Sequence, residues 1–151
     1  MKYGGTLLAV SDMEKSKNFY GTVLEQKVIL DLGVHVSFEC GISLQDNYAE
    51  LVGEDLPIKK QSNNFQLYFE VEDIDGWKVK INNLEGIEFI HDIKEYSWGQ
   101  RVMRFYDYDK YIIEVSESME SVVKRFLKQG LSVEETAKRT MYPVEFVQHC
   151  L

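Results

Sequence analysis

The sequence predicts an α+β fold of two βαβββ modules followed by a helical C-terminal extension. Short alternating runs of apolar and polar residues, rich in tyrosine and phenylalanine, indicate strands. The segment LLAVSDM at 7–13 aligns with YFEVEDI at 68–74, at a constant offset of 61 residues. From residue 119 onward the apolar residues follow helical spacing instead. The repeat fixes the architecture, because each half should carry the same order of elements.

The first module, residues 1–52, contains one predicted helix and four predicted strands. Ser11–Asp12 can cap the helix, while Gly33 and Gly41 stand where tight turns would join strands. Residues 47–64 are polar and are expected to form a linker or long loop. The predicted elements are strand Tyr3–Val10, helix Met13–Leu24, and strands Lys27–Leu32, Val34–Cys40 and Ile42–Asp46.

The second module, residues 65–118, repeats this order. Asp73 can cap its helix, and Gly86 can end it. The predicted elements are strand Phe65–Val71, helix Ile74–Leu84, and strands Ile87–Ile93, Arg101–Tyr106 and Tyr111–Val115. We expect the two modules to join edge to edge into a curved eight-stranded sheet, with helices outside and a concave face inside.

The extension, residues 119–151, is predicted to form three helices, over Met119–Gln129, from Ser132 to about Arg139, and over Val144–Leu151. Its string GLSVEETAKRTMYPVEFVQHCL resembles a small helix-turn-helix of DNA-binding regulators. The last helix has no Lys or Arg to aim at bases, so we expect the extension to pack on its own chain or on a partner subunit. DNA binding through residues 131–151 is the alternative.

Charge and composition exclude several classes of function. The formal net charge of −8 and the pI of about 4.9 would repel a phosphate backbone, so we expect no nucleic-acid partner. No apolar run is long enough to cross a membrane, and no signal peptide is evident. Two widely separated cysteines, Cys40 and Cys150, favour a reduced cytoplasmic setting.

Three segments resemble the vicinal oxygen chelate superfamily: AVSDMEKSKNFYGTVL at 9–24, YFEVEDID at 68–75, and DYDKYIIEV at 107–115. This superfamily includes glyoxalase I, extradiol dioxygenases, fosfomycin-resistance enzymes and bleomycin-binding proteins. The resemblance covers about residues 1–118 and implies the paired-module fold. It does not select a function, because the fold supports several unrelated chemistries.

In metal-dependent members of the superfamily, four side chains hold one divalent cation. The resemblance carries these positions to Gly5, Ser43, Gln66 and Glu114. Glycine has no side chain and serine is a poor ligand for Zn, Ni or Fe, so Gln66 and Glu114 remain as weak metal candidates. We therefore expect no tightly bound metal cofactor, and we expect that Gly5→His with Ser43→Glu would create a site.

Histidines offer another possible metal site. His35 and Glu39 lie on the polar side of their predicted strand and could form a divalent site with Glu114. The other interpretation is an exposed strand histidine. His91 and His149 have no ligand-like spacing to a partner, and we expect both at the surface.

Strand alternation also predicts a pocket on the concave face. Trp98 would cover its rim, and aromatic side chains with a few convergent polar groups are typical of a small-molecule site. Arg104 and Glu114 are either a functional pair, with Glu114 catalytic as base or ligand, or a structural cross-strand salt bridge. The ligand-binding candidates are Glu39, Ser43, Gln66, Tyr68, Trp98, Arg104 and Tyr106.

Three functions remain open. The first is binding or sequestration of a small molecule without a catalytic metal, for which acidic and aromatic side chains would suit a planar cation. The second is a glyoxalase-like lyase or related metalloenzyme with an unusual site. The third is a regulatory protein that acts through its C-terminal helices. Unpaired strand edges and the apolar stripe of Met119–Leu127 lead us to expect a homodimer.

Overall fold

The computed structural model describes residues 1–151 and divides them into two units, residues 1–61 and residues 62–151. Each unit contains one βαβββ module, so the predicted repeat is confirmed. Backbone pairing places the eight strands in two sheets of four, one in each unit. The joining of these two sheets into one curved eight-stranded sheet stays a prediction.

The first sheet has the strand order β1-β4-β3-β2, with β1 and β4 parallel. Asp12 caps α1 by accepting a hydrogen bond from the Lys15 backbone N–H, as expected of an N-cap aspartate. The helix packs on β4 and continues as a π-helical turn over Phe19–Val23. The elements are β1 (Thr6–Ala9), α1 (Met13–Asn18), β2 (Val28–Asp31), β3 (His35–Phe38), β4 (Ile42–Gln45) and α2 (Tyr48–Val52).

Helix α2 corrects one expectation, because the segment 47–64 is not entirely a loop. Its sequence YAELV contains good helix formers, and Gly53 ends it with a left-handed backbone at φ 75°. The polar composition of the surrounding residues concealed this short helix. The core of the first unit contains Leu8, Phe19, Tyr20, Val36, Phe38 and Leu44.

The second sheet has the equivalent order β5-β8-β7-β6. The parallel registers match as the repeat requires: Leu7 lies opposite Ser43, and Tyr68 lies opposite Glu114. Helix α3 packs on β7 and β8, over the buried side chains of Met103 and Ile113. The elements are β5 (Gln66–Val71), α3 (Ile74–Asn82), β6 (Glu88–Glu95), β7 (Arg101–Tyr106) and β8 (Ile112–Glu117).

The extension forms the three predicted helices, α4 (Met119–Lys128), α5 (Val133–Thr140) and α6 (Val144–His149). Ser132 and Glu135 form the predicted capping box at the start of α5. The apolar stripe of α4 is buried within its own chain, where Trp98, Leu131 and Phe146 pack against it. The stripe therefore does not need a partner subunit to cover it.

A buried carboxylate joins the extension to the sheet. Glu117 at the end of β8 accepts hydrogen bonds from Arg101 Nη2 at 2.7 Å and from Arg125 Nη2 at 3.0 Å. Arg125, from α4, also donates to the Gly99 carbonyl oxygen at 2.5 Å. Because the Glu117 side chain is only 3% exposed, its charge requires both arginines.

The expectation of a homodimer stays a prediction. Strand β2 lies at the edge of the first sheet and exposes Ile29 and Leu30, a surface that a second copy of the chain could cover. The predicted homodimer is compatible with this edge but is not tested by it. None of the helices has both the length and the apolar character needed to cross a bilayer.

Gly99→Ala should destabilise the protein more than Gly130→Ala. Both glycines have a left-handed backbone, with φ of 88° and 94°, so alanine strains both by about 1 kcal/mol or more. A Cβ at Gly99 would in addition overlap the Phe126 ring, whereas a Cβ at Gly130 meets open space. Overpacking should therefore lower the unfolding free energy of Gly99→Ala by about 1–3 kcal/mol beyond the control, as measured by urea denaturation. Equal losses would show that α4 is not packed on this loop.

Candidate functional site

The face of the second sheet opposite α3 carries most of the predicted site residues. On β5, Gln66 and Tyr68 lie on the polar face, and the residues between them, Leu67 and Phe69, lie on the helix side, as the alternation predicted. Arg104 on β7 lies directly opposite Glu114 on β8. The structure therefore brings Gln66, Tyr68, Arg104 and Glu114 together on one face.

Glu114 is buried, and both of its carboxylate oxygens are engaged. Oε2 accepts a hydrogen bond from Gln66 Nε2 at 2.7 Å and forms an ion pair with Arg104 Nη2. Oε1 accepts from the Ser116 hydroxyl at 3.1 Å. The cross-strand salt bridge of the structural interpretation is thus present, and it occupies the oxygens that a base or metal ligand would need.

Arg104 donates to four different side chains. Its Nε donates to Gln66 Oε1 at 3.0 Å, and its Nη1 donates to the Tyr96 hydroxyl at 2.6 Å and to His91 Nε2 at 3.0 Å. With the ion pair to Glu114, the guanidinium is held on all sides by β5, β6, β8 and the loop that carries Tyr96. Gln66, His91, Tyr96, Arg104 and Glu114 thus form one polar cluster, in which the charges of Arg104 and Glu114 neutralise each other.

His91 and Tyr96 belong to this cluster, although sequence alternation did not place them there. A β-bulge shifts the β6 register between Phe89, which pairs with Phe105, and His91, which pairs with Arg104. The extra residue turns His91 from the helix side to the polar face. His91 Nδ1 donates to the Asp92 carbonyl oxygen at 2.8 Å, so Nε2 is free to accept from Arg104. The predicted surface position of His91 is therefore corrected: the ring is half-buried and bound to Arg104.

Beside this cluster, Tyr68, Trp98 and Gln100 form a second hydrogen-bonded group. Gln100 is buried, donates to the Glu117 carbonyl oxygen at 2.8 Å, and accepts from the Trp98 indole N–H at 3.0 Å. Its amide nitrogen also lies 3.4 Å from the Tyr68 hydroxyl. Tyr68 donates to a Glu70 carboxylate oxygen at 2.5 Å. Partial burial of the phenol and this bond to Glu70 raise the pKa of Tyr68 to about 12, so it is neutral at physiological pH.

Three other predicted binding residues have partners outside these groups. Tyr106 donates to the side chain of Asn63 at 2.8 Å. Ser43, in the first unit, shares a 2.8 Å hydrogen bond with the Ser37 hydroxyl. Glu39 follows β3 and is largely exposed, where it pairs with Lys27 at 3.2 Å.

His35 lies on the polar side of β3, as predicted, but both of its ring nitrogens are engaged. Gln45 Nε2 donates to the Asp46 carbonyl oxygen, which leaves Gln45 Oε1 to accept from His35 Nδ1 at 2.9 Å. His35 Nε2 then accepts from the Ser37 hydroxyl at 3.0 Å. With Glu39 paired to Lys27, neither residue of the alternative metal site offers a free donor.

The four positions that hold a metal in the superfamily do not fit one here. Gly5 offers no side chain, and its φ of 141° with the Gly41 carbonyl oxygen against its Cβ direction leaves no room for one. This contact argues against the metal site expected from Gly5→His with Ser43→Glu, because a histidine side chain would overlap the Gly41 carbonyl oxygen. Ser43 is neutral, and the Arg104 guanidinium lies on the Glu114 oxygen that a cation would need. No group of three or more His, Cys, Asp or Glu is arranged to hold a metal ion.

Comparison with known proteins identifies the family. The family model of the glyoxalase-like domain matches residues 3–120, which is more than half of the chain. The chain belongs to the glyoxalase-like family. This confirms the resemblance to the vicinal oxygen chelate superfamily. No curated protein matches the chain in sequence.

Solved structures of glyoxalase-like proteins share the fold. A protein of unknown function from Agrobacterium tumefaciens strain C58 is 35% identical, with a TM-score of 0.68, covering 78% of this chain and 94% of its own. Lactoylglutathione lyase from Agrobacterium tumefaciens is 25% identical, with a TM-score of 0.58 and the same two coverages. A glyoxalase/bleomycin resistance protein/dioxygenase family enzyme from Burkholderia phytofirmans PsJN is 16% identical, with a TM-score of 0.63, and covers 76% of this chain and 96% of its own.

Arg104→Met should destabilise this glyoxalase-like chain, and Glu114→Gln should restore part of the loss. Removing the guanidinium leaves the Glu114 carboxylate buried without a cation, which we expect to cost about 2 kcal/mol because the pair is partly exposed. Neutralising Glu114 in the same chain should recover about 1 kcal/mol. A double-mutant cycle of urea denaturation measures both effects. Additive losses would contradict a coupled pair.

Tyr68→Phe should remove part of the loss of stability at alkaline pH. The folded phenol keeps its proton up to about pH 12, whereas the unfolded chain releases it near pH 10. The unfolded state therefore binds fewer protons in this window, and stability falls as pH rises from about 10 to about 12. The measurement is urea denaturation at several alkaline pH values.

The matched control is Tyr3→Phe, which removes one of the nine tyrosines at an exposed position. It should retain the alkaline dependence of the parent protein. A Tyr68→Phe protein with the same pH dependence as the parent would contradict the raised pKa of Tyr68.

Proposed function

We propose that this protein binds a small molecule through the glyoxalase/bleomycin-resistance fold and works without a catalytic metal. The observation that carries the proposal is the closed network of Glu114, whose two oxygens are taken by Gln66, Arg104 and Ser116. Because these polar side chains bond to one another, Glu114 has no oxygen available to accept a proton from a substrate. Such a face is suited to binding and not to proton transfer.

Electrostatics supports the absence of a metal centre. A divalent cation at Glu114 would have to displace the Arg104 guanidinium or sit against it, and like charges at that distance repel strongly in a buried site. Gln66 and Glu114 alone would supply one amide and one carboxylate. Most of the coordination shell would then be water, and the affinity would be weak compared with a four-ligand site.

The similarity to lactoylglutathione lyase favours a second candidate, a metal-dependent lyase. That candidate requires the ion pair between Arg104 and Glu114 to break, so that Glu114 can bind a metal ion. Binding without a metal requires this ion pair to remain intact. Metal binding therefore separates the two.

Two further properties are proposed with this function. Cys40 is an exposed free thiol and Cys150 a buried one, which supports a reducing, cytoplasmic setting. The apolar edge at β2 supports a homodimer. Neither property is needed for metal-independent binding.

Calorimetric titration with Zn²⁺ and with Ni²⁺ should show no tight binding to the parent protein. Arg104→Met should bind these ions more strongly, because it frees Glu114 and Gln66 from the guanidinium. The matched control is the double variant Arg104→Met with Glu114→Gln, which should lose that gain because the carboxylate is gone. Tight zinc binding by the parent protein, or lactoylglutathione lyase turnover that depends on added metal, would overturn the proposal in favour of the lyase.

A further inference from the structure

A cavity of about 280 Å³ lies between the second module and the extension. The module contributes the side chains of Tyr68, Trp98 and Gln100. The extension contributes Met119 from the start of α4, and Met141 with Tyr142 from the α5–α6 connection. Two segments that are far apart in the chain therefore form one cavity.

We propose that this cavity binds a small, neutral, aromatic molecule, and that the extension completes the site. The proposal rests on metal-independent small-molecule binding and names its location and ligand class. Aromatic side chains and two methionines form most of the surface, so the ligand would be recognised mainly by ring stacking and by sulfur–aromatic contact.

The lining favours an uncharged ligand, because it contains no charged side chain. Its polar groups already satisfy one another. Trp98 donates to Gln100, Gln100 donates to the Glu117 carbonyl oxygen, and the Thr140 hydroxyl donates to the Thr136 carbonyl oxygen at 2.8 Å. The Tyr68 hydroxyl donates to Glu70 and accepts from the Gln100 amide at 3.4 Å, so it is engaged as both donor and acceptor. A charged ligand would lose water without gaining a counter-charge.

The aromatic surfaces are held in place before a ligand arrives. Trp98 stacks on Tyr96 with ring centroids 4.8 Å apart, and Tyr142 packs on Phe146 at 4.6 Å. Such preorganisation lowers the entropy cost of binding. The volume lies just below the roughly 300–1,000 Å³ of pockets for drug-sized ligands, so it suits a one-ring or two-ring molecule.

Met141 has features that packing of the extension does not explain. Its backbone is left-handed, with φ of 61°, a conformation that costs a non-glycine residue free energy. Its side chain is nevertheless large, apolar and 75% exposed, at the mouth of the cavity. A glycine would meet the backbone requirement better, so the thioether is better explained by contact with a ligand.

Part of this cavity is formed by residues that lie outside the glyoxalase-like domain. The glyoxalase-like family model ends at residue 120, before Met141 and Tyr142. Ligand selection here would therefore depend on residues that the shared fold does not supply.

The test uses the full chain labelled at its methionine methyl groups and titrated with indole, followed by NMR. Met119 and Met141 methyl signals should shift and saturate, because an aromatic ring beside them changes their local field. Met13 and Met103 are buried in the cores and serve as internal controls that should not shift. Tryptamine, a cation, and indoleacetate, an anion, should bind more weakly than indole.

Met141→Gly should raise the dissociation constant for indole about fivefold or more, since it removes the sulfur–aromatic contact while relieving the backbone. The matched control is Lys110→Gly, which changes another residue of positive φ, at 69°, outside the cavity. It should bind indole as the parent does. Both variants should keep the unshifted core methyl signals of a folded protein.

Absent shifts at Met119 and Met141, equal binding of the charged analogues, or unchanged affinity in Met141→Gly would each overturn this inference. These outcomes are independent of the metal titrations. Tight zinc binding would overturn the proposed function without moving the two methyl signals, and absent indole binding would leave the metal result unchanged.

Discussion

The position of the extension depends on the buried carboxylate of Glu117. Arg101 on β7 and Arg125 on α4 both bind it, so strand and helix are joined through one carboxylate that is only 3% exposed. This brings α4 against the loop at Gly99, where the Phe126 ring leaves no space for a Cβ. The position of α4 in turn places Met119 beside Trp98. The ion pair and the apolar contacts of α4 with Trp98, Leu131 and Phe146 together position the extension beside the cavity.

The β7–β8 pair carries two arginine–glutamate pairs, one on each face of the sheet. Arg104 and Glu114 lie on the polar face, and Arg101 and Glu117 lie on the other, because residues three apart on a strand point to opposite sides. One pair belongs to the polar cluster around Glu114, and the other holds the extension. The same local chemistry thus serves the site on one face and the packing of α4 on the other.

The chain has the glyoxalase-like fold, but the residues at the four positions that hold a metal in the superfamily do not fit a metal ion. Gly5 has no side chain that could act as a ligand, and the charge of Glu114 is neutralised by a guanidinium and not by a metal ion. The two β-sheets do not depend on these positions, since their stability comes from apolar side chains on the helix sides. Fold and chemistry are therefore separable in this family, and the function must be argued from the side chains present.

The sequence by itself determined the two modules, the helices of the extension and the polar face of β5, because these follow from local periodicity and capping. It did not reveal α2, whose helix formers lie within a polar segment, nor the position of His91, which depends on an unpaired residue in β6. Only the tertiary structure showed that both carboxylate oxygens of Glu114 have partners. Only the tertiary structure showed that Met141, Tyr68 and Trp98 line one cavity. Contacts between residues far apart in the chain leave no periodic pattern, so the binding surface emerges only when the chain is folded.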